Sequence, residues 1–258
     1  MKKPVIGMQL YTLRNICTNA SNLDRTLARL RKIGYTAIQI SGLPSTITPK
    51  EIVKASENNG MIIASTHMSW DRFMEDLDAV IEEHKLYRCK HPAIGGLFDE
   101  VYRGIAGIGY FLEELAPVAE RLRKEGMDFS YHNHSHEFVR YEGKPWLEHL
   151  YEKASPDDLK AEIDTYWVQA GGASPLKWVK KMAGRMPILH IKEMRVDSQR
   201  NFYFDWIGNG NLDWPEILQA ATEGGVEYAM YEQDDCYSDN PLELAEKTYR
   251  YLSTLGYK

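Results

Sequence analysis

Short apolar runs alternate with amphipathic helical patterns from one end of the chain to the other. One helical pattern is Leu23–Ile33, in which Leu23, Leu27, Leu30 and Ile33 recur near helical spacing. Short apolar runs bounded by turn residues are typical of buried strands. Eight strands are predicted in this way, at Val5–Leu10, Thr36–Ile40, Met61–His67, His91–Leu97, Asp128–His134, Leu159–Thr165, Pro187–Glu193 and Tyr228–Asp234.

Residues at the helix boundaries support this pattern. Thr48-Pro49-Lys50-Glu51 predicts a capping box with proline at the first helical position, and Ser174-Pro175 and Asn240-Pro241 repeat the cap followed by proline. Four glycines follow helical runs, where a left-handed residue ends a helix: Gly34, Gly60, Gly126 and Gly225. The remaining predicted helices are Pro49–Asn58, Phe73–Leu86, Ile105–Lys124, Pro145–Lys153, Pro175–Ala183, Pro215–Glu223 and Pro241–Thr254.

The alternation predicts a (β/α)8 TIM barrel that forms a single domain over residues 1–258. Eight strand–helix units in a chain of 258 residues match the usual size of this fold. The alternative is an open, doubly wound sheet, which usually has a glycine-rich phosphate-binding turn after its first strand. The segment from Gln9 to Arg14 reads Gln-Leu-Tyr-Thr-Leu-Arg instead, without such a turn. No linker, low-complexity segment or clear repeat divides the chain.

Composition narrows the classes of protein to be considered. The net charge of −6 argues against a general electrostatic grip on nucleic acid. The three cysteines, Cys17, Cys89 and Cys236, lack metal-type spacing and suit a reducing compartment better than a disulfide framework. No apolar run approaches the roughly 18 residues that a membrane span needs. We therefore expect a cytoplasmic protein without membrane contact, and the sequence leaves open whether it forms a homo-oligomer.

Polar residues with metal-binding or acid–base chemistry stand at the ends of the predicted strands. The densest group is Tyr131–Phe138, where His132 and His134 alternate onto one strand face. Active sites of TIM barrels lie at the C-terminal ends of their strands. These ends hold Gln9 and Tyr11, Gln39, His67, His132 and His134, Asp164, His190 and Lys192, and Glu232.

The last four strands each end in a residue that can bind a metal ion. His132, Asp164, His190 and Glu232 offer two imidazoles and two carboxylates, which suit one divalent ion such as Mn²⁺, Zn²⁺, Co²⁺ or Fe²⁺. Structural roles stay open for the same residues. Asp164 can cap a helix, His190 can be a hydrogen-bonded core histidine, and Glu232 can form an ion pair with Lys192.

A series of motifs along nearly the whole chain resembles the sugar phosphate isomerase/epimerase family, also called the xylose-isomerase-like or endonuclease-IV-like barrels. Together and in this order the motifs are specific to the family, but not to one substrate. They are Gly7–Arg14, Tyr131-His132-Asn133-His134 with Glu137-Phe138, Asp164–Trp167 before Ala170-Gly171-Gly172, Leu189–Glu193, Gly208–Trp214 and Tyr231–Asp234.

The resemblance implies a metal-dependent reaction on a sugar. The family's metal is usually held by Glu, Asp, His and Glu, and Asp164, His190 and Glu232 match the last three positions. His132 stands at the first, where a glutamate is usual, so one of the family's two paired bases is an imidazole here. The resemblance to a Tyr-His-Asn-His subgroup implies keto-sugars or keto-glycosides as substrates. The shared step is removal of a proton next to a carbonyl, with a metal-stabilised enediolate.

Roles are predicted for further residues around the metal ligands. The candidate acid–base groups are Glu137, Glu232, neutral Lys192 and His134. Lys192 can also stabilise an enolate or bind a phosphate. The predicted substrate-binding residues are Gln9, Tyr11, His67 and Trp167, and Trp70 and Trp206 offer further aromatic faces for a sugar ring.

Four functions are compatible with these residues. The first is a metal-dependent sugar isomerase or epimerase, and the second is a lyase or hydratase that acts on a keto-sugar or 3-keto-glycoside. The third, a DNA-repair endonuclease, requires more metal ligands and a basic groove, which the acidic chain does not offer. The fourth is a non-catalytic barrel that binds sugars without a metal. The sequence does not decide whether the sugar is phosphorylated.

Overall fold

Eight parallel strands close into a barrel in the computed structural model, which describes all 258 residues. Each strand pairs with its neighbours in chain order, and the first pairs with the last, with Val5 opposite Tyr228. The predicted (β/α)8 barrel is therefore confirmed. Its strands are β1 (Val5–Gln9), β2 (Ala37–Ile40), β3 (Ile62–Met68), β4 (His91–Ile94), β5 (Ser130–His132), β6 (Lys160–Asp164), β7 (Ile188–Ile191) and β8 (Tyr228–Tyr231).

Helices cover the outside of this barrel, and most of them lie where the hydrophobic pattern predicts them. The predicted bounds of Pro49–Asn58 and Pro241–Thr254 are those of the structure. The helices are α1 (Ala20–Ile33), α2 (Pro49–Asn58), α3 (Trp70–Glu75), α4 (Leu77–Tyr87), α5 (Gly104–Lys124), α6 (Trp146–Lys153), α7 (Thr165–Ala170), α8 (Pro175–Lys181), α9 (Trp214–Glu223) and α10 (Pro241–Thr254).

The capping predictions are also confirmed. Thr48 and Glu51 form the reciprocal capping box of α2, and Ser174 and Asn240 accept backbone hydrogen bonds at the starts of α8 and α10. All four of the glycines expected after helices have positive φ values, from 59° at Gly60 to 133° at Gly34. Local sequence chemistry therefore sets where these helices begin and end.

Several predicted strands are longer than those of the structure, such as His91–Leu97 and Tyr228–Asp234, which end at Ile94 and Tyr231. Two predicted elements differ in more than their bounds. The predicted helix Phe73–Leu86 is two helices, because Asp76 leaves the helical conformation with φ −150° and its side chain caps α4 at Ala79 N. The predicted strand Pro187–Glu193 ends at Ile191, and Glu193–Val196 pairs instead with Phe202–Asp205 in an antiparallel hairpin above the barrel.

The buried Glu193 fixes the segment between this hairpin and α9. Its carboxylate accepts hydrogen bonds from the backbone of Gly208 (3.1 Å) and Leu212 (3.2 Å) and from the Trp214 indole. A side chain at Gly210 would place its Cβ 2.4 Å from the backbone oxygen of Met194 and equally close to Glu193 Oε1, so this close approach requires glycine. The motif Gly208–Trp214 thus has a structural role in this chain.

The interior of the barrel changes from apolar to polar along its axis. Four buried side chains from β2, β3, β7 and β8 form a small apolar cluster inside the barrel: Ala37, Ala64, Ile188 and Met230. Buried polar side chains follow them toward the C-terminal ends of the strands, including Gln39, Ser65 and Glu162. The fold therefore directs polar groups to one mouth of the barrel, where the predicted site residues lie.

Candidate active site

The predicted metal ligands meet at the C-terminal ends of β5–β8. His132 Nε2 lies 3.2 Å from Asp164 Oδ2, and His190 Nδ1 lies 3.0 Å from Glu232 Oε2 and 3.9 Å from Asp164 Oδ2. One donor atom from each of the four residues lies within 4.8 Å of every other, and all four residues are buried. The topology therefore brings four strand ends together at one point, which we call the four-ligand cluster.

Asp164 has two roles at once. Its Oδ1 accepts a hydrogen bond from Trp167 N (3.0 Å) and caps α7, while Oδ2 faces His132. Asn133 Oδ1 accepts a hydrogen bond from Asp164 N (3.1 Å) and fixes the backbone on the other side. The helix cap and the ligand position are therefore compatible, because different oxygens serve them.

Lys192 lies against the carboxylates of the cluster. Its Nζ is 3.0 Å from Asp164 Oδ2, 2.8 Å from Glu232 Oε2 and 2.9 Å from Asp234 Oδ1. Burial lowers the pKa of a lysine, but these three carboxylates outweigh burial and raise the pKa of Lys192. Lys192 is therefore an ammonium that neutralises part of the cluster's negative charge. Burial would raise the pKa of Glu232, but Lys192 and His190 hold it well below its usual range.

A second carboxylate lies deeper in the barrel, behind His190. Glu162 Oε1 lies 2.7 Å from His190 Nε2 and contacts His67 Nε2, while Gln39 Nε2 donates to Glu162 Oε1 (2.9 Å). Burial would lower the pKa of His190, but Glu162 and Glu232 outweigh it and raise this pKa to about 10. A metal ion would displace the proton from His190 Nδ1, which faces the cluster, while Glu162 holds the proton on Nε2.

Glu162 and Asp234 were missed by sequence reasoning. Each lies two residues from a predicted ligand, Glu162 before Asp164 and Asp234 after Glu232. The alternation along β6 places Glu162 on the inner face with Asp164, a signal that could have identified it. The contact of Asp234 with Lys192 joins positions 42 residues apart in the chain, and no local pattern indicates it.

His134 lies beside the cluster, whereas Glu137 holds the loop that carries His134. The His134 ring centre is 5.0 Å from that of His132, and burial, His132 and Lys192 lower its pKa to about 2. The Glu137 carboxylate accepts hydrogen bonds from Tyr131 Oη (2.9 Å) and His134 N (2.8 Å). Burial raises the pKa of Glu137, which also lines a separate cavity of about 340 Å³.

The four predicted substrate-binding residues lie at different depths. Gln9 is fully buried, and its amide donates to Gln39 Oε1 (3.0 Å) beneath the cluster. His67 reaches both Glu162 and a cavity at the mouth. Tyr11 and Trp167 are half-buried, with the Arg14 guanidinium 3.9 Å from the centre of the Tyr11 ring and Lys192 Nζ 5.5 Å from that of Trp167. Tyr11, His67 and Trp167 are thus the members of this set that can be reached from the mouth.

The donor set fits one divalent metal ion. The short separations among the four donor atoms are compatible with metal–ligand bonds of about 2.0–2.2 Å. Two imidazoles and two carboxylates suit Mn²⁺, Zn²⁺, Co²⁺ or Fe²⁺. The Lys192 ammonium contacts two of these donor atoms, Asp164 Oδ2 and Glu232 Oε2. It also contacts Asp234, which is not part of the donor set and can still pair with the ammonium when a metal ion is bound.

A family model described as the xylose isomerase-like TIM barrel matches residues 27–255. The chain belongs to this family. No curated protein sequence matches it. No helix of the structure combines the length and apolar character needed to cross a membrane.

Solved structures with the same fold include proteins named for sugar chemistry. A sugar phosphate isomerase/epimerase from Parabacteroides distasonis is 23% identical, with a TM-score of 0.79 over 98% of this chain and 94% of its own. An L-ribulose 3-epimerase is 19% identical, with a TM-score of 0.73 over 98% and 94%. A "probable 3-DHS dehydratase" from Bacillus anthracis is 13% identical, with a TM-score of 0.69 over 96% and 98%. At these identities the likeness concerns the fold alone.

Replacing Asp164 by alanine is expected to abolish metal retention, because the change removes a ligand oxygen and its charge. Protein loaded with Mn²⁺ and dialysed is measured by elemental analysis. Asp128→Ala is the control, because Asp128 pairs with His91 at the opposite end of the barrel. Full metal occupancy in Asp164→Ala would show that the ion is held elsewhere.

Replacing Glu162 by glutamine is expected to weaken metal binding about 10-fold to 100-fold, although Glu162 is not itself among the four ligands. The change keeps the shape of the side chain and removes the charge that orients His190. Direct titration with Mn²⁺ measures the affinity, and circular dichroism checks the fold. Glu114→Gln is the matched control, because Glu114 accepts hydrogen bonds from Trp70 and Tyr102 outside the cluster. Equal affinities in the two variants would contradict the role of Glu162.

Proposed function

We propose that the protein is a metal-dependent sugar isomerase/epimerase whose reaction begins with removal of a proton next to a carbonyl group. The observation that carries this proposal is the contact between Glu232 and Lys192, whose reactive atoms lie 2.8 Å apart beside the four-ligand cluster. A carboxylate base and an ammonium donor side by side are the groups that an enolisation requires. Membership of the xylose isomerase-like family supports the same class of chemistry.

Glu232 and Lys192 have different roles in this proposal. Glu232 is ionised and accepts the proton from the carbon next to the carbonyl. Lys192 is an ammonium because its pKa is raised, so it acts as a hydrogen-bond and proton donor to the sugar oxygen rather than as the base predicted for its neutral form. The metal ion, when bound, supplies positive charge that favours an ionised sugar oxygen.

The groups around the cluster favour chemistry on one face of the sugar. A two-base epimerisation needs a second proton-transfer group on the opposite face, where the family usually has a glutamate. Here that position is His132, whose pKa is lowered to about 4 by burial and by His190. The neutral imidazole is a weak proton donor at pH 7. Aldose–ketose isomerisation needs one base that removes and returns the proton, and Glu232 can do both. Within the proposed class, the site therefore favours isomerisation over two-base epimerisation.

A lyase or hydratase acting on a keto-sugar or 3-keto-glycoside is the second candidate. The specific observation in its favour is the position of Lys192, whose ammonium can protonate a departing oxygen after Glu232 has removed the proton. His132 also favours the lyase, because it stands where the family usually has a glutamate and leaves one carboxylate base fewer for epimerisation. The Tyr-His-Asn-His subgroup that implies such substrates stays a prediction.

The proposed partner is a small sugar rather than nucleic acid. The cluster contains the buried carboxylates of Asp164 and Glu232, and the buried Glu162 and the half-buried Asp234 lie next to it, a charge that repels a phosphate backbone. A cytoplasmic location and the oligomeric state stay predictions.

Hydrogen exchange with solvent tests the proposed function. Protein loaded with Mn²⁺ is incubated in deuterated water with aldoses, ketoses and 3-keto-glycosides, and products are measured by mass spectrometry and NMR. We expect deuterium at the carbon next to the carbonyl. An isomeric product supports isomerisation, whereas loss of water or an aglycone supports the lyase. Lys192→Met is expected to slow exchange at least 100-fold, within the usual range for an acid–base group.

The base can return the proton to the sugar before that proton exchanges with solvent, and a second measurement detects this case. A substrate deuterated at that carbon is expected to show a primary isotope effect on single-turnover rates. Product formation with neither solvent exchange nor an isotope effect, under conditions where the chemical step limits the rate, would exclude enolisation. A hydride shift or direct hydrolysis would then be the better account.

A further inference from the structure

A cavity opens at the mouth of the barrel beside the four-ligand cluster. It follows the C-terminal ends of β2, β3 and β4 and has a volume of about 350 Å³. His67 lines this cavity, and the centre of its ring lies 4.9 Å from that of His132 and 5.1 Å from that of His190. The cavity therefore lies next to the proposed reaction centre, and its volume falls within the usual range for small-molecule sites.

The lining of this mouth cavity is aromatic and acidic. Trp70, Phe98 and Tyr102 contribute rings, and the Phe98 side chain is 64% exposed. Its carboxylates are Asp71 and Asp99, and the lining contains no lysine or arginine. Aromatic faces suit the apolar face of a sugar ring or an aryl group, whereas two aspartates repel an anion.

The cations near the mouth already have partners. Lys192 contacts three carboxylates. The Arg14 guanidinium donates to Tyr11 O (2.7 Å) and Asp234 O (2.9 Å). Neither Lys192 nor Arg14 lines the mouth cavity, so a phosphate group in that cavity would meet no lysine or arginine side chain.

Helix N-termini offer the mouth cavity no free anion site either. Ser69 caps α3 at Arg72 N, and Asp164 caps α7 at Trp167 N. Helix α5 lacks a side-chain cap, but its first residue, Gly104, lines the neighbouring cavity together with Arg103 and Glu137 and does not line the mouth cavity. An anion bound at the start of α5 would therefore lie outside the mouth cavity.

We propose that the mouth cavity is the subsite for the non-reacting part of the substrate and that it accepts an uncharged ring. The substrate is accordingly an unphosphorylated sugar or a glycoside rather than a sugar phosphate. This inference rests on the proposed function, because it treats the four-ligand cluster as the reaction centre. Within the subsite, Phe98 stacks on the ring, and Asp71 and Asp99 accept hydrogen bonds from hydroxyl groups.

Equilibrium binding tests the subsite without depending on turnover. Protein loaded with Mn²⁺ is titrated calorimetrically with 4-nitrophenyl β-D-glucopyranoside and with its 6-phosphate at low ionic strength. We expect the phosphate to bind at least tenfold more weakly. Phe98→Ala is expected to weaken binding of the neutral glycoside at least threefold, whereas Phe202→Ala, which removes a similarly exposed ring outside the cavity, leaves it unchanged.

A change of charge at Asp99 provides a second test of the subsite. Asp99→Lys is expected to raise the ratio of phosphorylated-probe affinity to neutral-probe affinity at least tenfold relative to Asp99→Asn. A cation in the subsite should reverse the selectivity if electrostatic repulsion is its cause. An unchanged preference in Asp99→Lys would overturn that explanation.

The outcomes separate this inference from the proposed function. Equal or tighter binding of the phosphorylated probe, or faster solvent exchange of L-ribulose 5-phosphate than of L-ribulose, overturns the neutral subsite and leaves the enolisation chemistry standing. Absence of binding by the neutral glycoside also overturns it. Selective binding of the neutral glycoside without exchange of any sugar supports the subsite and counts against the proposed function.

Discussion

The burial of several carboxylates at one end of a closed barrel is the constraint on which the rest of the site depends. Transfer of a carboxylate from water into a protein interior is costly unless charges and hydrogen bonds compensate it. Glu162, Asp164 and Glu232 are all 5% exposed or less, and each contacts a histidine or lysine. The barrel can therefore fold with these carboxylates inside only because each of them is paired with a positively charged or hydrogen-bonding partner.

The same constraint gives the site its chemistry. Lys192 stays protonated because three carboxylates surround it, and His190 has a carboxylate on each side of its ring. Asp164 is held by its helix cap, so one of its oxygens has a fixed direction toward the cluster. A metal ion at the cluster would replace part of the positive charge that Lys192 now supplies, and Asp234 would retain the ammonium.

Much of the fold and part of the site could be predicted from the sequence. Short apolar runs and capping residues such as Thr48 are local signals, so they identify the eight strands and most helices. The convergence of His132, Asp164, His190 and Glu232 then follows from the geometry of a barrel, in which strand ends meet at one mouth. The resemblance to a known family supplied the expected order of ligands, including the departure at His132.

The rest depends on contacts between residues that are distant in the chain. Gln39 reaches Glu162 and His190 across the barrel, and Glu193 binds a loop that begins at Gly208. No periodicity indicates such pairs, because the partners come together only after the barrel closes. The break between α3 and α4 was not predicted for a different reason. The apolar residues keep their helical spacing across Asp76, whereas the backbone of Asp76 leaves the helical conformation and its side chain caps α4.

Anomalous diffraction from crystals grown with Mn²⁺ locates the bound ion independently of activity. We expect one strong peak among His132 Nε2, Asp164 Oδ2, His190 Nδ1 and Glu232 Oε2, with Lys192 still in contact with Asp234. Three neighbouring donors, His134, His136 and Glu137, form another group close enough to hold an ion. A peak at that group, with none at the four strand ends, would show that the four-ligand cluster is not the metal site.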